Sequence, residues 1–396
     1  MNSRLDALLQ QRIVVCCGSG GVGKTTIAAS IAVRAARSGK RALALTVDPA
    51  RRLADSLGVA LGNEPTPIPA ELQKRLGIPP GGHLSAMMLD TKSTFDSLVH
   101  RLSPSPQAEA RILANRYYQQ ISRSMVGSQE YMAMEKLLEV HETGAFDIIV
   151  LDTPPSRHAL DFLSAPGKLN AVLEEGALSW LLAASQSSVM SLSAAVARKM
   201  ATILGKMEDI LGLSVLSDLA DFVADFKDLL RDFKARAMRS QALLKAPSTS
   251  FLLVASPDRT SLEEAAYFHD QLQQRRFPFA GFVINRVLPL TDLRADDPGL
   301  SHLLALGDRE WLAQFPPGTI PPLDPAERDP FLLKLRMRFR NLVSLAEIDR
   351  ANMAELIDRR PGPLGVHRVP ELPEDIHDLE ALGLLGDVLF GAESAK

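Results

Sequence analysis

The chain has 396 residues, 46% hydrophobic, 23% charged and 5% aromatic, with 44 basic against 47 acidic side chains and a formal net charge of −3. That composition excludes a disordered, collagenous or disulfide-stapled protein, and the near-neutral balance excludes a global attraction for nucleic acid or acidic lipid. The only cysteines, Cys16 and Cys17, are adjacent, too few for a thiolate zinc site and poorly placed to pair, which points to a reducing, cytoplasmic setting.

The opening segment, MNSRLDALLQQR, lacks the apolar run of an export signal, and no stretch reaches the roughly 18 uninterrupted apolar residues of a spanning helix. Ile13 to Cys17 reads as a buried strand, and Thr25 to Ser38 as a helix ended by Gly39. Further strand signatures follow at Ala42 to Val47, Leu84 to Leu89, Asp147 to Leu151, Phe251 to Ala255 and Phe282 to Ile284, with helical patterns between them. That alternation predicts an α/β fold with a mostly parallel, doubly wound sheet. Gly62 to Gly82 is dense in proline and glycine and reads as a loop, as do residues 286 to 330 with their breaks at Pro316, Pro317, Pro321 and Pro322.

The strand rhythm stops twice, over residues 91–145 and 161–247, where only helical periodicity remains. These stretches are expected to form one inserted helical subdomain on a core of residues 1–90, 146–160 and 248–396. In the second stretch Leu219, Phe222, Val223, Phe226, Leu230 and Phe233 recur at helical steps. Upstream, Met190, Met200 and Met207 among leucines and isoleucines supply either the core of a bundle or an adaptable apolar binding surface.

The chemistry concentrates after the first strand. Gly18-Ser19-Gly20-Gly21-Val22-Gly23-Lys24-Thr25 matches the phosphate-binding loop pattern G-x-x-x-x-G-K-[ST], and it lies between a strand and a helix, as that pattern requires. Its backbone N–H groups and the helix N-terminus suit phosphate oxygens, Lys24 suits the β/γ-phosphates, and the Thr25 hydroxyl suits magnesium. The expected cofactors are therefore a nucleoside triphosphate and Mg2+, contacted by Gly20, Gly21, Val22, Gly23, Lys24, Thr25 and Thr26. Two carboxylates close later strands, Asp48 and Asp152, and strand C-termini are where an open α/β sheet binds ligands. Asp152 fits a magnesium-holding role, Asp48 fits orientation of the attacking water, and a helix N-cap is the alternative for either.

These motifs resemble the ArsA-type ATPases, a family that includes the arsenite-pump ATPase and the ATPase that targets tail-anchored membrane proteins. The family's loop GKGGVGKT compares with GSGGVGKT here, its DPAHN or DPAHS with Asp48-Pro49-Ala50-Arg51-Arg52, and its DTAPTGHTLR with Asp152-Thr153-Pro154-Pro155-Ser156-Arg157-His158-Ala159-Leu160-Asp161. The resemblance implies an ATP-hydrolysing dimeric switch, with Asp48 and Lys24 catalytic and Asp152, Pro154 and His158 in the segment that responds to nucleotide state. It also implies that Asn285, in Val283-Ile284-Asn285-Arg286, contacts adenine and that Pro370 begins a loop over the base, or else a plain strand-to-helix turn. Leu288 stands where a GTP-selective N-K-x-D pattern would place Asp, which favours ATP.

Two departures from the family matter. Ser19 replaces the signature lysine that crosses to the partner's phosphates, so a homodimer should turn over slowly unless Arg51, Arg52 or Arg157 substitutes, or unless a lysine-bearing paralogue completes a heterodimer. The cysteines of the arsenite and zinc sites have no counterpart, so neither site is expected. A hydrophobic helix or membrane-protein client is implied by the targeting relatives. Positioning ATPases of the ParA and MinD kind, a P-loop kinase or ligase, and a nucleotide-clamped pseudo-ATPase are the other readings.

Overall fold

The computed structural model describes residues 3–48, 52–116, 118–119, 122, 128–154, 229, 232–292, 297–316, 319, 324–358, 365–372, 376 and 379–391. Its main elements are β1 (Ile13–Gly18), α1 (Lys24–Arg37), β2 (Arg41–Thr46), β3 (Thr66–Pro67), β4 (His83–Met88), α2 (Thr91–Leu102), α3 (Ser128–Glu142), β5 (Ile148–Asp152), β6 (Thr249–Ala255), α4 (Arg259–Gln274), β7 (Phe279–Val287), α5 (Pro325–Asp358), β8 (Val366–Pro370) and α6 (Leu379–Phe390). All six strands expected from the sequence are present. Among the described residues, no helix is long and apolar enough to cross a membrane.

The strands form one sheet in the order β3-β4-β2-β5-β1-β6-β7-β8. Every pairing is parallel except that of β3 with β4. A parallel strand covered on both faces must be apolar on both, which is why β1 reads IVVCCG and is buried throughout. Alternate residues serve opposite layers. Ile13, Val15 and Cys17 join a cluster with Phe95 and Leu98 of α2, Met134 and Leu137 of α3, and Leu262 and Phe268 of α4. Val14 and Cys16 join the other cluster, with Ile27 and Ile31 of α1 and Leu382, Leu385 and Leu389 of α6. Each fully buried aliphatic side chain contributes about 1.5–3 kcal/mol, so these layers fix the position of β1. The two thiols are free and buried, and the two-residue period of the strand sends them into different layers.

After β1 the chain builds β2 and β4 on one side, and it returns through β6, β7 and β8 on the other. β1, between β5 and β6, is thus the point where the winding reverses, and the crevice at its C-terminal end is where such a sheet places a ligand.

Two expectations need correction. The proline- and glycine-rich segment 62–82 is not wholly loop: it holds β3 and the helix Ala70–Arg75. Buried Gln73 explains the local order, donating to Ile68 O at 2.6 Å and accepting from Leu84 N at 3.0 Å, so one amide satisfies two backbone groups beside the sheet. Residues 286–330 likewise hold the 3-10 turn Pro289–Asp292 and the helices Pro298–Ala305 and Asp308–Leu312. Pro298 sits in the first turn, where its missing N–H costs nothing, and Asp297 caps Gly299 N and Leu300 N. Val369 and Pro370 end a strand, β8, that precedes α6, which fits the strand-to-helix alternative for this stretch; a proline is tolerated there because β8 is the outer strand of the sheet.

The described residues of the stretch 91–145 hold three helices, as expected, α2, Pro106–Ala114 and α3. Residues 232–245 of the second stretch are helical too. Met190, Met200, Met207, Leu219, Phe222, Val223, Phe226 and Leu230 lie outside the described residues. Phe233 stacks on Tyr131 with ring centroids 6.0 Å apart.

Candidate functional site

The loop after β1 can turn sharply only because of its glycines. A Cβ on Gly18 would lie 2.0 Å from Val254 O of β6, so any side chain there would push β1 and β6 away from each other. Gly23 has φ 89° and is the residue preceding α1; a Cβ there would lie 2.4 Å from Asn285 Nδ2. Between them Gly20 and Gly21 are exposed at the tip, while Val22 is buried and anchors the loop to the layer of α1.

Lys24 opens α1 and is 8% exposed, its Nζ donating to Ser19 O at 2.8 Å, so the ammonium lies over the loop rather than out in solvent. Thr25, one residue on, donates its hydroxyl to Asp152 Oδ2 at 2.7 Å. Thr46, at the end of β2, donates to the same oxygen at 2.9 Å. Asp152 is therefore reached from two sides by hydroxyls, and its other oxygen, Oδ1, is buried with no hydrogen-bond partner. Burial raises its carboxyl to about 6, against the hydroxyls of Thr25 and Thr46 and the Lys24 charge that favour the anion, with Asp48 adding repulsion. A buried carboxylate with one open oxygen, next to a threonine hydroxyl, is the donor set a hard cation such as Mg2+ takes. Among the described residues no group of three or more His, Cys, Asp or Glu converges as a metal site. A magnesium ion held by Thr25 and Asp152 would thus take its other ligands from water and phosphate oxygens.

Asp48 follows β2 on the same side of the sheet. Its N–H donates to Thr46 Oγ1 at 3.2 Å, which ties it to the hydroxyl that binds Asp152. Asn285, two residues before β7 ends at Val287, donates Nδ2 to Val22 O at 2.9 Å and so touches the phosphate loop directly. The next residue, Arg286, has φ 61°, and the pairing with β8 shifts register between Ile284 and Val287. Pro370 pairs with Val287, two positions beyond Asn285. Thr26 is half-buried in the first turn of α1, and Pro154 is buried just after β5.

The structure thus brings together Lys24, Thr25, Asp48, Asp152 and Asn285 around one loop. Pro49, Ala50, Arg51, Arg157 and His158 lie outside the described residues, as does the side chain of Arg52. Three further residues of the site escape a reading of the sequence. Thr46 carries a signal that could have found it, a hydroxyl closing an otherwise aliphatic strand just before Asp48. Ser261 and Gln129 carry none, because tertiary structure alone delivers them. Ser261 Oγ lies 3.0 Å from Ser19 Oγ and accepts from Ser256 N at 3.0 Å, and Asp258 caps its backbone N–H at the start of α4. Gln129 Nε2 donates to Val47 O at 2.9 Å.

Comparison with known proteins agrees with this geometry. The family model described as anion-transporting ATPase matches residues 11–297. The chain is 28% identical over 231 residues to a protein of Prosthecochloris vibrioformis described as a putative arsenical pump-driving ATPase, covering 56% of this chain and 51% of that one. It is 25% identical over 292 residues to the ATPase get3 of Aspergillus terreus, covering 73% of this chain and 77% of the relative. A third match, at 28% over 160 residues, is to the ATPase GET3 of Malassezia globosa, covering 40% and 44%. The chain therefore spans about half the length of two of these three relatives.

Proposed function

The chain belongs to the anion-transporting ATPase family, and from that premise we propose that it binds ATP with Mg2+ and hydrolyses it as a dimeric switch. In this reading the loop Gly20–Thr25 wraps the phosphates and Lys24 neutralises their charge. Thr25 and Asp152 would hold the magnesium, which would supply neutralisation of the charge developing on the phosphates. Asp48 accepts a hydrogen bond from the attacking water and aims it at the γ-phosphorus. Asn285 holds the loop through Val22 O and reaches the adenine side of the site, with Pro370 beyond it. Residues 1–90, 146–160 and 248–396 make the nucleotide core, and residues 91–145 and 161–247 make a helical subdomain whose surface, responding through Pro154 and His158, takes an apolar helix or membrane-protein client in the cytoplasm.

The observation that carries the ATPase reading is the convergence of Thr25 and Thr46 on one oxygen of Asp152, with the other left unpartnered. An unmet buried acceptor costs about 1–3 kcal/mol, and a cation beside the phosphate loop would satisfy this one. The test is phosphate release from Mg-ATP by purified protein beside its Asp48→Asn form. Turnover should fall by at least about 100-fold while ATP still binds; normal turnover by that variant would remove Asp48 from its role.

A second reading concerns the dimer. Ser19 carries no charge, and its hydroxyl lies against Ser261 of the same chain. The missing charge in an otherwise intact loop motivates a pair in which a lysine-bearing paralogue supplies the crossing cation. Turnover of the protein alone, compared with turnover after mixing with such a paralogue, separates the two: fast hydrolysis alone points to the homodimer.

A further inference from the structure

We propose that Gln129 is a positioning residue for ATP hydrolysis, fixing the backbone from which Asp48 aims the water. The inference rests on the assignment of Asp48 above. The peptide unit between Val47 and Asp48 is held at both of its polar ends. Its carbonyl oxygen accepts from Gln129 Nε2 at 2.9 Å, and its N–H, that of Asp48, donates to Thr46 Oγ1 at 3.2 Å. One residue earlier, Val47 N donates to Asp152 O at 3.1 Å. Rotation of the peptide plane would break the first two bonds together, so the plane, and with it the Cα of Asp48, has one orientation.

A positioning group must itself be fixed, and α3 fixes Gln129. Gln129 sits in the first turn of that helix, 82 residues from Val47 in sequence. Met132, Ala133 and Leu137 of α3 are buried in the layer that also holds Leu45 and Val47 of the β2 side. Tyr131 donates its hydroxyl to Phe233 O at 3.2 Å. Fully buried Glu135 accepts from Arg236 at 2.6 Å and from Arg101 at 3.1 Å, and fully buried Lys136 donates to Glu64 at 2.8 Å and Glu139 at 3.2 Å. Glu135 and Lys136 are buried charges that are costly to leave without partners, so these bonds hold the helix to one register. The amide of Gln129 is therefore a rigid reference for the turn that carries Asp48. An ångström of misplacement at a reacting group costs up to about 100-fold in rate.

The test uses the full chain in three forms, measuring Mg-ATP affinity, kcat and unfolding midpoint. Gln129→Met keeps the length of the side chain without the donor, and should lower kcat by roughly 10- to 100-fold with ATP affinity and unfolding midpoint unchanged. Gln129→His returns an N–H near the same reach and should recover much of the loss. A methionine variant that turns over like wild type, one that loses ATP affinity with kcat intact, or a histidine variant no better than the methionine one would each overturn the proposal. The Asp48→Asn control separates the two levels: if that variant loses turnover while Gln129→Met does not, the positioning role alone fails; if it turns over normally, the assignment of Asp48 fails.

Discussion

Thr25 and Asp152 are 127 residues apart in sequence and meet at 2.7 Å, hydroxyl to carboxylate, where α1 begins and β5 ends. Parallel pairing of β1 with β5 sets that distance, because Cys16 is in register with Asp152 and the loop after β1 must return to α1 above it. An Asp152→Asn substitution separates function from stability at this contact. It removes a buried charge whose desolvation opposes folding, so the unfolding midpoint should hold or rise. The gain in ATP affinity on adding Mg2+ should shrink by about 10- to 100-fold, while affinity in a chelator stays level. Titration of ATP with and without magnesium reads this directly, and an undiminished magnesium effect would remove Asp152 from the metal site.

The thiols of β1 report on the packing of the sheet. Burial pushes the Cys17 thiol up to about 12 and that of Cys16 well above its ordinary value, with Asp152 adding repulsion to Cys16. Only the thiolate attacks disulfide reagents, so neither cysteine should react in the native protein, and both should react once it unfolds. Counting modified thiols by mass before and after adding denaturant measures this. One fast thiol in native protein would mean that the central strand opens at its edge.

The core is legible in the sequence because buried parallel strands are written as aliphatic runs, and the loop is legible because its glycines and Lys24 are local in sequence. Helix Ala70–Arg75 is not legible: its order depends on Gln73 meeting Ile68 and Leu84, a tertiary event inside a stretch whose prolines and glycines signal a turn. Ser261 and Gln129 show the same limit at the site. Each acts through a hydrogen bond to a residue that the sheet, not the local sequence, brings near. Asp48 and Asp152 stand out because strand ends in a parallel sheet share one edge; Gln129, which holds the carbonyl before Asp48, comes from a helix whose docking no periodicity encodes.

Arg41 and Asp147 tie the N-terminal end of β2 to the start of β5, with Asp147 accepting from Arg41 Nη2 at 2.7 Å and from its backbone N at 2.9 Å. The side-chain and backbone bonds from Arg41 hold the Asp147 carboxyl down to about 2 from 3.8. A depressed carboxyl contributes stability above its unfolded value, and loses it as pH falls through the folded value. The contribution should therefore be complete at pH 6 and disappear between about pH 4 and 2. Asp147→Asn should lower the urea midpoint slightly at pH 6, since the pair is partly exposed and screened, and the two proteins should converge at pH 2. An equal gap at both pH values would show that the substitution acts through packing rather than charge.

Asn285 closes over Gly23, leaving no room for a Cβ there, and two separable effects act at this contact. Gly23→Ala would strain a left-handed residue at φ 89°, at about 1–2 kcal/mol, and would also drive its methyl against Asn285 Nδ2, 2.4 Å away. The second effect is relieved by a rotamer change of Asn285, because the clashing atom is the end of a side chain, but that change breaks its bond to Val22 O. Asn285→Ala alone keeps the glycine and loses only that bond, leaving Val22 O unpaired at about 1 kcal/mol. The double variant Gly23→Ala, Asn285→Ala removes the clash and keeps the strain, so it should remain less stable than Asn285→Ala alone and bind ATP at least about 10-fold more weakly than wild type. Chemical denaturation and ATP titration of the four proteins complete the cycle. If the double variant matches Asn285→Ala in both measurements, the left-handed turn is not what Gly23 is needed for, and the contact with Asn285 accounts for the glycine.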